Sequence, residues 1–364
     1  MQHLITQLTN KRETIKSHPA TIGFDGFIDT IVKLIKHKDS AGKPVNYFNS
    51  AADWANHILG KKGANFSIEL TQCSIKAGGN TPNMANAMAK LGLTVNCAGA
   101  LGYPVIDPIF SQLPATCRLY SFATPGTCQA IEFGEGKMML ANMDELNKVD
   151  WNILKLRIPV NKLIEIFDAA SIIGLLNWGE MVAATGFWKG LLQDVLPFCR
   201  TNMNKLFFVD LSDCTGRTKD ETLAALELLK HFSSYGKLIL SLNHNESIFI
   251  HTLLSGTVPD NIDTKTLGEE IFLHLEPGTL LLHNHSGAVA FRKNDFAQKD
   301  SFFIEAPKLL TGAGDNFNAG FCFAQLMELG LEDSLTIAHL VAACYIKNGE
   351  SPDWNALINA LETV

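Results

Sequence analysis

A chain of 364 residues, 46% of them hydrophobic, is long and apolar enough to bury a large core as one or two domains. Its 30 basic and 37 acidic residues leave a net charge of −7 at pH 7, which gives no reason to expect nucleic acid as a partner, and no apolar run approaches the roughly 20 residues of a membrane-spanning helix. The eight cysteines are scattered without a C-x-x-C pair, which is typical of reduced thiols and predicts a cytoplasmic protein.

Short apolar runs recur along the chain and predict the strands of a buried sheet. The opening segment, MQHLITQLTNKRETIKSHPA, lacks the apolar core of a signal peptide and predicts a helix. The apolar runs then begin at 21 (TIGF), 94 (TVNCAGALG), 171 (SIIGLL), 205 (KLFFVDL), 237 (KLILSL) and 279 (TLLLH). Each is almost entirely apolar, as in strands that are covered on both faces.

Helical patterns lie between most of these runs, at 83–91, 180–199, 221–232 and 264–274. The alternation of strand and helix predicts an α/β fold with a mostly parallel central sheet and helices on both of its faces, which makes three layers. From residue 315 onward the pattern is nearly all helical, with Gly330 expected to end the first helix.

Two segments interrupt this alternation and predict a small β-rich lid. Residues 34–77 are polar, with one short helix expected at 51–59, and they end at AGGN (77–80), a glycine pair suited to a hinge. Residues 117–141 alternate around GEGK, a hairpin signal, and are expected to contribute to the lid. The main domain then comprises 1–33, 78–116 and 142–364. The strand edges of such a lid could pair two copies into a homodimer.

The stretch TGAGDNFNAGF (311–321) places a glycine-rich turn directly before a helix. The N–H groups of such a turn and the positive end of the helix converge on one point, which predicts an anion site that fits a phosphate. Asp315 lies in the first helical turn, where the dipole should keep it ionised and able to accept a proton from a hydroxyl. An ordinary acidic first turn after a glycine-rich loop explains the loop by itself equally well.

The motif LLTGAGDNFNAGF (309–321) resembles the signature D-T-x-G-A-G-D-x-F of the ribokinase (PfkB) family of carbohydrate kinases. Three other stretches are similar to family motifs and occur in the family's order: GFDGFIDTIVK (23–33), AGGNTPNMANAMAKLG (77–92) and NHNE (243–246). The resemblance covers nearly the whole chain. It implies a ribokinase-like fold and a kinase that uses ATP and Mg²⁺ to phosphorylate a hydroxyl of a small sugar or sugar-like substrate.

The resemblance also implies a role for individual residues. Asp315 would be the catalytic base, and the anion hole would be formed by Gly312, Ala313 and Gly314. The substrate would be bound by Asp29, Asn83, Gly78 and Gly79, with Asp25 as a further candidate, and the nucleotide and its phosphates by Asn243, Glu246 and Gly287, with Glu246 also reaching Mg²⁺ through water. Simpler interpretations stay open: Asp29 could cap a turn, Asn83 could begin its helix, and Glu246 could be a first-turn acid.

Several positions depart from the family pattern. Phe27 replaces the usual asparagine near the sugar aspartate, and LHNHSG (282–287) retains only Gly287 of a T-x-G-x-x-G turn. Leu309 replaces the aspartate that helps to hold an activating potassium ion in many members, so we expect no potassium requirement. These departures keep two alternatives open, a non-catalytic sugar-sensing relative and a nucleoside kinase.

The HNH run (283–285) could place two histidines on one strand face for a metal, but no third ligand stands nearby.

Overall fold

The computed structural model describes residues 1–134, 136–259 and 262–363. The strands of the described residues are β1 (Ala20–Phe24), β2 (Phe27–Lys38), β3 (Pro44–Tyr47), β4 (Leu70–Gly78), β5 (Val95–Gly99), β6 (Cys117–Ser121), β7 (Gly126–Phe133), β8 (Gly136–Asn142), β9 (Ile172–Leu176), β10 (Leu206–Asp210), β11 (Lys237–Asn243), β12 (Thr279–His283), β13 (Gly287–Arg292) and β14 (Asp295–Asp300).

The α-helices of the described residues are α1 (Gln2–Lys11), α2 (Ala51–Gly60), α3 (Asn80–Lys90), α4 (Trp151–Arg157), α5 (Val160–Ala169), α6 (Ala184–Gly190), α7 (Lys219–Phe232), α8 (His244–Ser255), α9 (Thr264–Leu275), α10 (Ala313–Leu326), α11 (Leu331–Asn348) and α12 (Trp354–Thr363). No helix in the described ranges is both long and apolar enough to cross a membrane.

A nine-stranded sheet forms the centre of the fold, in the order β14-β13-β12-β11-β10-β9-β1-β5-β6. The strands from β12 to β6 pair in parallel, and β13 and β14 are antiparallel. One apolar cluster packs α1, α3 and α10–α12 on one face, and a second packs α4–α9 on the other. The predicted α/β fold with helices on both faces of a mostly parallel sheet is therefore confirmed.

The four central strands β1, β5, β9 and β10 are buried along their whole length, because helices cover both faces of the sheet. Polar residues appear where these strands end. Asp25 follows β1, Asn177 follows β9, Asp210 ends β10 and Asn243 ends β11. Since the strands are parallel, their carboxyl ends meet at one edge, where ligands bind in open α/β sheets.

A second sheet has the order β3-β2-β7-β8, with β4 paired to the other part of β2. We call this small sheet, together with α2, the lid. The sheets divide differently from the expected boundaries at two places. The strand β2 already begins at Phe27, because FIDTIVKLIKHK contains no glycine or proline to interrupt it, so residues 27–33 lie in the lid. Residues 117–121, in contrast, pair with β5 in the large sheet.

The hairpin of β7 and β8 belongs to the lid, and Glu135 of its GEGK turn lies outside the described residues. Two helix predictions are corrected. The helix that begins at Ala313 ends at Leu326, and Gly330 caps the start of α11 instead of ending α10. The pattern at 180–199 becomes a helix only from Ala184 and continues through a π-helical turn.

Candidate active site

The glycine-rich turn before α10 has the conformation that its sequence predicted. Gly312 has φ +93°, and a Cβ there would lie 2.9 Å from Tyr345 Oη, so both the backbone and its surroundings require glycine. The N–H of Ala313 donates to the Leu310 carbonyl at 3.1 Å. The N–H groups of Gly312, Gly314 and Asp315 have no acceptor among the described residues. We call these three free donors the anion-binding nest. Ala313 was also expected to contribute its N–H, but that group donates to the Leu310 carbonyl.

Asp315 is buried at this turn, and the side-chain amide of Asn83 donates to its Oδ2 at 2.9 Å. Burial, and then the charge of Asp210, raise the pKa of Asp315 well above its ordinary value, while Asn83 and Lys137 act in the opposite direction. Desolvation is the largest of these effects, so burial opposes the ionised form that the helix dipole was expected to favour. A raised pKa makes the ionised carboxylate a stronger proton acceptor.

Asn83 does not begin its helix, as one interpretation of the sequence had it. Helix α3 starts at Asn80, with Gly79 at its N-cap in a φ of +91°. Asn83 therefore lies one turn inside the helix, at the point where its amide reaches Asp315. The contact joins α3 to α10, which pack on the same face of the large sheet.

Asp25 is fully buried and serves the backbone of α3. Its carboxylate accepts from the N–H groups of Asn80 at 2.8 Å and Thr81 at 2.7 Å, and from Asn177 Nδ2 at 3.0 Å. A Cβ on Gly79 would lie 2.8 Å from Asp25 Oδ2, so glycine allows this approach. Asp25 was a candidate for binding the sugar, but both of its carboxylate oxygens already accept hydrogen bonds from the start of α3.

Asp29 is the acid that remains free. It lies on β2 directly opposite Lys76 of β4, it is buried, and no described residue donates a hydrogen bond to its carboxylate. A Cβ on Gly78 would lie 2.3 Å from its carboxyl group, so the glycine of the Gly-Gly pair makes room for it. Burial raises the pKa of Asp29, and the charges of Lys76 and Lys137 oppose that shift.

Three polar residues near Asp29 were not identified from the sequence. Glu180 accepts from Asn177 Nδ2 at 3.0 Å, and burial followed by the charges of Asp25, Asp213 and Asp29 raises its pKa. For Lys137 on β8, burial of the ammonium group lowers the pKa, and the charges of Asp315 and Asp29 oppose this shift. The signal that could have found Asn177 and Glu180 is the polar NWGE that follows the buried strand β9.

Phe27, which replaces the usual asparagine, packs beneath this site. A Cβ on Gly126 would lie 2.5 Å from its ring, and one on Gly79 would lie 3.2 Å from it. The ring is buried between these two glycine backbones. Phe27 therefore supports the hinge between the two sheets by packing.

The N-x-x-E stretch forms a capping box at the start of α8. Asn243 Oδ1 accepts from the N–H of Glu246 at 3.0 Å, and Glu246 Oε2 accepts from the N–H of Asn243 at 2.9 Å. Glu246 is therefore an acid in the first turn of α8 that stabilises the start of the helix, as the simpler interpretation of the sequence had it. Burial and the charge of Asp210 also raise its pKa well above the ordinary value.

Asp210 lies near Glu246 and is also buried. Asn318 Nδ2 donates to it at 2.6 Å and the N–H of Ser212 at 2.8 Å, and burial raises its pKa to about 6. Among the described residues no lysine, arginine or histidine pairs with Asp210 or Glu246. Two buried, uncompensated carboxylates suit a hard divalent cation, and Mg²⁺ is commonly held by one or two carboxylates plus substrate phosphates. The described residues contain no group of three or more candidate ligands.

A cavity of about 670 Å³ opens beside the anion-binding nest and is lined by Asn243, Ala313, Gly314, Phe317 and several histidines. The rings of His283 and His339 lie 4.9 and 5.0 Å from that of Phe317. Burial lowers the pKa of both histidines to about 4, so they are neutral at pH 7.

Gly287 was expected to contact the nucleotide, but it does not line this cavity. It closes a turn in which its N–H donates to Asn284 Oδ1 at 3.0 Å and its carbonyl accepts from the N–H of Asn284 at 2.9 Å. The cavity is lined on this side by His283, Asn284 and His285. The glycine that this stretch shares with the family's turn motif is explained by the pairing of β13 with β14, because a Cβ on Gly287 would lie 2.6 Å from the Lys299 carbonyl of β14.

Comparison with known proteins decides the family. The family model for prokaryotic ketohexokinase matches residues 5–363. The chain belongs to the prokaryotic ketohexokinase family. It is a carbohydrate kinase of the ribokinase (PfkB) type, as the motifs predicted. It is 26% identical to a ketohexokinase of Haloferax volcanii over 350 residues, which cover 95% of this chain and 91% of that protein.

Solved structures confirm the ribokinase-like fold of this carbohydrate kinase. Adenosine kinase from Sinorhizobium meliloti superposes with a TM-score of 0.66 at 17% identity, over 96% of this chain and 99% of that one. Ribokinase from Arabidopsis thaliana, complexed with ribose and ATP, superposes with a TM-score of 0.61 at 16% identity, over 95% of this chain and 99% of that one. Kinases of this family use ATP.

Proposed function

We propose that this kinase transfers the γ-phosphoryl group of ATP to a hydroxyl of a ketohexose, with Mg²⁺ as the required cation. The observation that supports the proposal is the presence of two buried acids, Asp29 and Asp315, that have different surroundings. Asp29 has no hydrogen-bond donor in the described chain, and Asp315 lies at the unpaired N–H groups of the anion-binding nest. The family match over residues 5–363 supports a ketohexose as the acceptor in this proposal.

In this proposal Asp29 holds the sugar. An ionised carboxylate without protein donors accepts strongly from two vicinal hydroxyls, and the hydrogen bonds orient the sugar as well as bind it. Glu180 and Lys137 face the same cleft and complete a polar lining. Several carboxylates in this lining disfavour an acceptor that already carries a phosphate, so the substrate is an unphosphorylated sugar.

Asp315 then takes the proton of the acceptor hydroxyl. Its raised pKa suits this step, because a weak acid is a better base once it is ionised. The N–H groups of Gly312, Gly314 and Asp315 stabilise the negative charge on the transferring phosphoryl group. Little covalent chemistry is required of the protein, since phosphoryl transfer depends mainly on positioning and charge stabilisation.

The cavity beside the anion-binding nest takes the nucleotide in this proposal. Its neutral histidines and Phe317 offer an aromatic lining for a base, while Asn243 and Gly314 lie towards the phosphates. Glu246, through water, and Asp210 would hold Mg²⁺, which neutralises charge on the phosphates when bound. The unpaired donors at Asp315 argue against a non-catalytic sugar sensor, which needs no charge stabilisation at that point.

A coupled assay with ATP and Mg²⁺ over a panel of sugars tests the proposal. The panel contains D-fructose and other ketohexoses, ribose, fructose 6-phosphate and adenosine, and the variant Asp315→Asn serves as the catalytic control. We expect the highest kcat/KM for a ketohexose and a loss of kcat in the variant on the order of 10² to 10⁴. Preference for adenosine would instead support a nucleoside kinase, and turnover of no compound would contradict the kinase proposal.

We also propose that two copies associate through the lid. Seven apolar side chains of the lid are exposed by 41 to 74%, a large number for one small sheet and helix: Val45, Ile58, Leu59, Leu70, Ile75, Met139 and Leu140. Light scattering behind size-exclusion chromatography measures the mass directly. A monomer at micromolar concentration would contradict this part of the proposal.

A further inference from the structure

Lys76 connects the lid to the turn that precedes Asp315. It lies on β4 of the lid, and its Nζ donates to the Thr311 carbonyl at 3.2 Å and to Tyr345 Oη at 3.3 Å. Tyr345 is in the last part of α11, and its hydroxyl also donates to the Thr311 carbonyl. One carbonyl oxygen thus accepts two hydrogen bonds, one from the lid and one from the main domain.

The Thr311 carbonyl and the Gly312 N–H belong to the same peptide unit. A trans peptide is planar, and its C=O and N–H point in opposite directions. A donor that holds the carbonyl on one side therefore directs the N–H to the other side. The Gly312 N–H has no acceptor among the described residues, and it adjoins the free N–H groups of Gly314 and Asp315.

A hydrogen bond from an ammonium group also polarises the peptide that accepts it. This makes the N–H at the other end of the unit a stronger donor. Burial lowers the pKa of Lys76, and the charges of Asp29 and Asp315 raise it. The ammonium group is therefore stabilised both by the acid that holds the sugar in our proposal and by the acid that accepts its proton.

We propose that Lys76 is a positioning residue that holds the Thr311 carbonyl from the lid and so aims the Gly312 N–H at the transferring phosphoryl group. The same contact fixes the position of β4, which pairs with the strand that carries Asp29, relative to the turn before Asp315. The sugar and the anion-binding nest are thereby aligned by one side chain. This inference rests on the proposed kinase function, but the contact itself can be tested without any substrate.

The first measurement is hydrogen–deuterium exchange in the full-length protein without ligands. Lys76→Met keeps the length of the side chain and removes its charge and donors. We expect faster exchange in the peptide covering 308–316 than in the wild type. Lys33→Met is the matched control, because Lys33 is an exposed lysine of the lid without a hydrogen bond or ion pair among the described residues. Unchanged exchange in Lys76→Met would overturn the proposal, whether or not a sugar substrate is known.

The second measurement is steady-state kinetics at pH 8 with the accepted sugar. Complete loss of an oxyanion donor lowers kcat by about 10² to 10³, and Lys76→Met retains the Gly312 N–H, so we expect a smaller fall of about 10- to 100-fold, with the sugar Kd changed less than about threefold. Tyr345→Phe removes the second donor to the same carbonyl and should lower kcat by a smaller factor. Lys76→Arg keeps the charge and should recover most of the kcat. A kcat equal to the wild type in Lys76→Met would overturn the positioning role.

The pH dependence separates positioning from a general effect on folding. Asp29 is faced by Lys76 from β4, Lys137 from β8 and Cys128 from β7, and by Asp25 and Glu180 from the large sheet. Loss of the Lys76 charge should raise the pKa of Asp29. Because the ionised carboxylate binds the sugar in our proposal, affinity is lost as the pH falls through this pKa. The loss should therefore begin at a higher pH in Lys76→Met than in Lys76→Arg. Equal pH profiles in the two variants would contradict an effect of the Lys76 charge on Asp29. Should Lys76→Met not fold, Tyr345→Phe and Lys76→Arg decide the question by the same exchange measurement.

Discussion

The amide of Asn83 donates a hydrogen bond of 2.9 Å to the carboxylate of Asp315, although 232 residues separate the two in the chain. The contact joins the first turns of two helices, α3 and α10, which pack against each other on one face of the large sheet. A donor to a carboxylate favours its ionised form. Asn83 therefore offsets part of the burial that raises the pKa of Asp315.

The first prediction concerns the pH dependence of kcat in Asn83→Ala. Catalysis requires ionised Asp315, so activity declines as the pH falls through the pKa of this carboxyl. That pKa is already raised in the wild type, and the loss of the Asn83 donor raises it further. The acid limb of the profile should therefore move to higher pH. Asn86→Ala is the control, because Asn86 lies on the same helix and donates to Ser351 at 3.1 Å. An unmoved acid limb in Asn83→Ala would be inconsistent with Asp315 as the base.

The second prediction concerns sugar affinity. Asp29→Asn removes the charged acceptor, and Gly78→Ala places a Cβ 2.3 Å from the Asp29 carboxyl, which must then move. Both variants should bind the sugar more weakly, by about 1–3 kcal/mol. Gly60→Ala is a matched control in the lid, since nothing lies within 4 Å of a Cβ there. Titration calorimetry decides the matter, and wild-type affinity in both variants would mean that the sugar is bound elsewhere.

The third prediction separates Asp25 from the sugar site. Asp25→Ala leaves the N–H groups of Asn80 and Thr81 and the amide of Asn177 without their acceptor in a buried site. We expect the free energy of unfolding to fall by roughly 2–5 kcal/mol. Asp39→Ala removes the acceptor of two N–H groups in an exposed turn, where water can replace it, and should cost about 1 kcal/mol or less. Chemical denaturation measures both, and equal stabilities would contradict the capping role.

The fourth prediction tests Glu246 beyond its capping box. Glu246→Gln retains an oxygen that can accept from the N–H of Asn243 but removes the negative charge. We expect the Mg²⁺ concentration for half-maximal turnover to rise about tenfold, with a shift in Tm of only a few degrees. Titration of Mg²⁺ at fixed ATP, with a thermal melt of the same samples, gives both numbers. A large loss of Tm with an unchanged Mg²⁺ requirement would leave Glu246 with a capping role alone.

The fifth prediction concerns potassium. The side chain of Leu309 has no oxygen to offer a monovalent cation, and the neighbouring Thr311 carbonyl already accepts from the Lys76 ammonium. We therefore expect turnover at saturating Mg²⁺ and constant ionic strength to be the same with tetramethylammonium, sodium or potassium. Several-fold activation specific to potassium would show that another oxygen ligand, such as that of Glu305, completes a site.

Local sequence determined the elements whose causes lie within a few residues. The apolar runs at 21, 171, 205 and 237 predicted strands because burial on both faces requires apolar residues throughout. The glycine turn before α10 was predictable because Gly312 needs a positive φ. The N-x-x-E stretch could have been recognised as a capping box, since both hydrogen bonds join residues three apart.

Tertiary structure alone decided which polar groups are free for a ligand. Asp25 and Asp29 are four residues apart and looked like similar candidates, yet the first is occupied by the start of α3 and the second has no donor in the described chain. The pKa of Asp315 and the contact of Lys76 with Thr311 likewise depend on residues more than 100 positions away. Desolvation and long-range hydrogen bonds sum over neighbours that only the folded chain brings together, so no local pattern contains them.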